Sequence, residues 1–213
     1  MKRNLTAIVA LTLAIALPGM ASAEGEATFT SDMMQNFART FDHMIQLAEA
    51  APADKFGWRP TEEVRTLSEI YMHTVGVNLL LPSALGAAPP EGIEIPEDPF
   101  ALLGQLEKDH TAKNDVVAQL RSSLEYANAA VPTITDLETE VNIFGFPGTK
   151  RAYLLIWLTH AHEHLGQAIA YSRSVGVVPP WSLPADGDGD GDGDADGDGG
   201  GDGDGDGDGD GGR

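Results

Sequence analysis

The residues best suited to chemistry in this chain lie close together. Three of its six histidines fall in one run of five positions, His160, His162 and His164, and Gly166 and Gln167 follow after Leu165. An α-helix turns about 100° per residue, so side chains four apart stack on one face. His160 and His164 can therefore share one metal ion from a single helical turn. One imidazole on an apolar face is ordinarily a core residue with its ring nitrogens satisfied. Two buried imidazoles one turn apart compete for the same few partners, and each unsatisfied one costs about 1–3 kcal/mol. A shared cation removes that cost.

His73 sits between Ile70 and Val77 on a second amphipathic segment and completes an open three-nitrogen site with His160 and His164. On one ion with bonds of ~2.1 Å, the nitrogens must lie about 3–3.5 Å apart. His162 is roughly 200° round the helix from His160 and cannot join them. His110, on the apolar stripe of a third segment, is open to three roles: a fourth ligand, a residue behind the ligands, or a core histidine. Gln167 and Tyr171 share the face of His160 and His164, and are the candidate catalytic or orienting residues. A zinc-peptidase H-E-x-x-H helix is excluded, because Ala161 stands where its glutamate would be and Glu163 points elsewhere.

Four amphipathic helices and no convincing set of strands predict an all-α fold, a four-helix bundle. The first helix runs from about Ser31 to Ala50, with Phe37, Phe41, Met44 and Ile45 on its inner face. The second runs from about Glu62 to Leu81, capped by Thr61 and ended by Pro82, with Ile70, His73, Val77 and Leu80 inside. The third opens at Asp98-Pro99 and is read as one helix to Ala130, its stripe being Leu103, Leu106, His110, Val117, Leu120 and Leu124. Glu140 to Phe144 reads as a short extended piece. The fourth helix is capped by Thr149 and turns Tyr153, Trp157, His160, His164, Gln167 and Tyr171 inward. Trp58, in the Pro52–Pro60 connection, is a candidate for burial.

The ends are of a different kind. Residues 1–23 read as a signal peptide: Lys2 and Arg3, an apolar run from Ala7 to Leu17, a break at Pro18-Gly19, and the cleavage motif Ala21-Ser22-Ala23. The run is too short for a mature membrane anchor, so residues 24–184 are expected as an exported domain, periplasmic or extracellular. The chain has no cysteine, so any metal site must use His and carboxylate. Residues 185–213 are a low-complexity tail, predicted to be disordered because it has nothing to bury. Its twelve Asp and one Arg hold more than half of the formal charge of −20. It resembles a run of EF-hand openings, but every Asp is at an even position. The closing Glu, eleven residues on, would fall on an odd one, and those hold no Glu. Weak, multi-site Ca²⁺ binding is the alternative to a simple acidic extension. Residues 24–184 are acidic too, which argues against nucleic acid as a partner. A homodimer stays open.

Three blocks resemble the DinB-like (DinB/YfiT) family of metal-dependent enzymes: Phe56-Gly57-Trp58-Arg59-Pro60; the H-x4-N block of His73 to Asn78; and His160 to Gln167, continuing through Tyr171-Ser172-Arg173 to Pro179-Pro180. The resemblance covers roughly Phe29 to Ser182. It implies a bundle with up-down-down-up order, a divalent metal, commonly zinc or nickel, on His73, His160 and His164, and open coordination positions for water or substrate. Characterised members of the family it resembles include thiol S-transferases and a mycothiol-dependent isomerase. A metal that lowers the pKa of a bound water or activates a thiolate would serve a hydrolase or S-transferase, on a small-molecule substrate that the sequence does not identify. The export signal and the Asp-Gly tail depart from the family pattern. A non-catalytic metal-binding or partner-binding bundle is the alternative.

Overall fold

The computed structural model describes residues 28–184; the expected signal peptide, residues 1–23, and the tail, residues 185–213, lie outside them. The described chain is mostly helical: α1 (Phe29–Ala50), α2 (Leu67–Ala84), α3 (Pro99–Asp109), α4 (Lys113–Ala130) and α5 (Lys150–Ser174). A hairpin of β1 (Glu140–Ile143) and β2 (Phe146–Thr149) precedes α5. Among the described helices none is long and apolar enough to cross a membrane.

α1 and α2 both begin with reciprocal capping boxes. Thr28 and Ser31 cap α1, and Thr66 and Glu69 cap α2. The second box is a T-x-x-E pattern, and it moves the start of α2 from the expected Thr61 to Thr66. The segment before it is tied down as well, since the Leu67 and Ser68 amides donate to the carbonyls of Trp58 and Phe56. Pro82 does not end α2. It sits inside the last turn, which continues to Ala84. Thr149 caps α5 as expected, accepting from the Ala152 amide at 3.2 Å.

The expected third helix is two helices. His110 leaves the helical region (φ −117°, ψ 87°), and α4 starts afresh at Lys113. The packing requires this break. Leu103 is buried on α3, while Val116, Leu120, Ser123 and Ala127 are buried on α4. In one straight helix Val116 would be about 220° round from Leu103. The break resets the phase, so that Val116 is buried and Val117 only partly so.

The four longer helices enclose the core. α1 packs on α4 and α5, α2 packs on the same two, and α3 lies along α2. The centre holds Phe37, stacked on Phe41 at 4.7 Å and tilted against Trp157 at 4.4 Å between ring centroids. Asn78 is fully buried and joins three helices: its amide donates to Ser123 Oγ (3.2 Å) and its oxygen accepts from the indole of Trp157 (2.9 Å). Phe56 is buried, whereas Trp58 is half-buried with its ring edge-on to Tyr171.

Candidate metal centre

α2 and α5 cross so that three Nε2 atoms meet. His160 Nε2 lies 3.2 Å from His73 Nε2 and 3.1 Å from His164 Nε2. The ligand atoms of all three residues lie within 4.8 Å of one another. The two short separations match nitrogens sharing one ion at ordinary bond lengths.

The far sides of two rings fix their tautomers. His73 Nδ1 is 3.2 Å from Glu107 Oε1, and His164 Nδ1 is 3.0 Å from Gln167 Oε1. Both partner atoms are acceptors, so each Nδ1 carries the proton and each Nε2 presents a lone pair. His160 Nε2 holds at most one proton and can satisfy only one of its two neighbours. A cation would satisfy all three. The donor set therefore fits a divalent transition ion, with imidazole orientation fixed from behind by a carboxylate and an amide.

The electrostatics keep His73 and His160 neutral. Burial foremost, then the Arg65 charge and the two neighbouring imidazoles, lowers the pKa of His73 to about 3. Burial, then His164 and Arg65, lowers that of His160 to about 4. At neutral pH these rings hold no extra proton that a metal would have to displace.

The structure also sorts the other candidates. Gln167 holds His164, and its amide nitrogen reaches the Tyr171 hydroxyl at 3.4 Å, so Tyr171 stands one residue further from the cluster. His162 faces α1, where Nε2 meets Thr40 Oγ1 at 3.1 Å while Nδ1 donates to the Leu158 carbonyl. His110 caps the end of α3 and pairs with Asp115 at 2.7 Å, outside the three-histidine group.

Two members of the site did not emerge from the sequence. Glu107 accepts from His73 and from Arg65 Nε (2.9 Å) through the same oxygen. Its one sequence signal is a carboxylate four residues after Leu103, on the face that packs inward. Arg65, just before the α2 cap, carries no such signal. The close approach of α3 depends on Gly76 within the H-x4-N block. A Cβ there would stand 2.3 Å from Leu103 Cδ2.

Residues 36–168 match the family model of the DinB superfamily. The chain belongs to the DinB superfamily. Solved structures agree at the level of fold. A DinB-like protein from Bacillus cereus is 16% identical, with a TM-score of 0.57, covering 70% of this chain and 93% of its own. A DinB-like protein from Bacillus subtilis is 22% identical, with a TM-score of 0.54, covering 72% and 96%. No curated protein matches the chain.

Proposed function

We propose that this DinB superfamily member is an exported metal-dependent enzyme of the hydrolase or S-transferase class. A divalent ion, zinc or nickel, is held by Nε2 of His73, His160 and His164. The observation that carries this reading is that His160 Nε2 lies 3.1–3.2 Å from the Nε2 atoms of both His73 and His164, with those two committed as lone pairs by Glu107 and Gln167. When bound, such an ion supplies Lewis acidity, lowering the pKa of a water or thiol and holding the resulting nucleophile. The chain's own part is to orient the imidazoles. Glu107 and Gln167 fix them from behind, and Arg65 holds Glu107 in place.

The bundle order proposed is up-down-down-up for α1, α2, α4 and α5. Contacts that rise together support parallel α1 and α5: Phe37 with Trp157, Thr40 with His162. Contacts that run oppositely support antiparallel α2 and α5: His73 with His160, Asn78 with Trp157. Asn78 with Ser123 and Ser83 with Tyr126 support parallel α2 and α4.

Metal analysis of the purified protein tests the centre. We expect one divalent transition ion per chain, absent from a His160→Ala variant. Equal content in the two proteins would place the ion elsewhere. Export is supported by the Lys2-Arg3 start and Ala21-Ser22-Ala23. Mass spectrometry of exported protein should find Glu24 at the N-terminus, and an intact Met1 would remove this part of the proposal.

A further inference from the structure

Beside the histidines lies a recessed cavity of about 270 Å³. His73 and His160 form one end, and Val77, Leu80, Leu81, Leu103, Ile156 and Trp157 are among its walls. The polar atoms of its other side chains are already engaged. The Trp157 indole donates to Asn78, and the Tyr153 hydroxyl donates into the carbonyl pair of Ile143 and Phe146. Only the imidazole edges remain for a guest's polar group.

The rim adds a second, independent observation. Phe144 and Gly145 are the two residues of the hairpin turn, with φ of +57° and +88°. Such turns favour Asn or Gly at the first position, and a left-handed phenylalanine is strained. The Phe144 ring is nonetheless half-exposed at the cavity mouth, packed on the exposed ring of Phe100 at 5.4 Å. Neither the turn nor the core benefits from that ring. A larger, open groove of about 800 Å³ shares this rim but is lined by neither imidazole.

We infer that the cavity takes the apolar body of the substrate, an aliphatic or aromatic group with a single metal-binding head, and that Phe100 and Phe144 form its entrance. The inference rests on the metal reading above for the placement of the head. At about 30 Å³ per atom, the share of a water molecule in the liquid, the space suits on the order of nine non-hydrogen atoms. A polar substrate body such as a sugar or peptide would leave its hydrogen-bonding groups unmatched against these walls.

Calorimetric titration tests this with two homologous series on the full chain: straight-chain alkyl hydroxamates of two to eight carbons into metal-loaded protein, and the corresponding n-alkanols into metal-free protein. Affinity should rise in both, by up to about fourfold per added methylene. Phe144→Asn relieves the left-handed strain, so the melting temperature should hold or rise while the dependence on chain length weakens. Ile156→Asp, at an exposed wall position, should flatten it, and Leu155→Asp, comparably exposed but outside the lining, should not. Binding of acetohydroxamate without any gain along the series would overturn the cavity assignment and leave the metal reading standing. A gain in the alkanol series with no metal uptake would support the cavity and overturn the metal reading. No gain in either series, or an unchanged gain in both Phe144→Asn and Ile156→Asp, would overturn the cavity assignment.

Discussion

The three imidazoles divide their surroundings into two unlike halves. On one side lie Glu107, Gln167 and Arg65, which also line a polar recess with Arg59 and Glu69. On the other lie Val77, Leu103, Ile156 and the Phe100–Phe144 pair. The polar half makes hydrogen bonds with the rings and decides which nitrogen is free. The apolar half makes none and leaves space. Fixing a metal ligand and admitting a substrate are thus separate tasks, met by different residues around the same rings. α3 serves both, presenting Glu107 to the polar side and Leu103 to the apolar one.

The largest effect expected from this division lies on the rings themselves. His164→Ala should abolish metal binding, whereas His162→Ala, two residues away and bonded to α1, should leave it intact. Metal content of the two purified variants settles the point. Equal loss in both would mean that helical facing does not govern the site.

Next in size is the polar half. Glu107→Ala removes the acceptor behind His73, and loss of such a partner typically costs 10–100-fold in metal affinity. Phe100→Ala, on the apolar half, should leave affinity unchanged within error, since Phe100 touches no ligand through a polar atom and is exposed. Competition with a chelator measures both. If Phe100→Ala weakens the metal as much as Glu107→Ala does, the two halves are not separable.

This contrast also shows how far the residues alone could speak. The His160–His164 pair and the inward position of His73 follow from helical spacing, and the structure brings all three together. So do α1 and the Thr149 cap of α5, whose local signals agree with their packing. Glu107 and Phe144 were hidden for opposite reasons. A glutamate on a helix ordinarily reads as solvated, and only the approach of α3 over Gly76 puts it behind His73. A phenylalanine in an extended piece ordinarily reads as core, and only the turn geometry puts its ring at the cavity mouth. The break at His110 escaped because Leu103 to Leu124 satisfies a helical period in one phase while packing selects another from Val116 onward. The Thr66 box was legible as T-x-x-E, but Thr61 followed by two glutamates carries a competing helix-start signal.

The smallest effect expected is the acid response of the metal-free protein, and it asks which half keeps the rings neutral. In the unfolded chain a histidine takes up a proton near pH 6.5. In the folded chain His73 waits until about 3 and His160 until about 4. Between these values the unfolded state binds more protons, so stability falls as pH falls. The melting temperature should be level in this respect above pH 7 and decline from about 6.5 toward 4. Burial is the foremost cause for both rings, and Arg65 is secondary. Arg65→Gln should therefore recover only a minor part of the acid loss, while His73→Gln should remove the share that belongs to that ring. If Arg65→Gln abolished most of the decline, charge from the polar half would govern the cluster. The apolar half would then keep its part in shaping the cavity but lose its part in holding the imidazoles ready for metal.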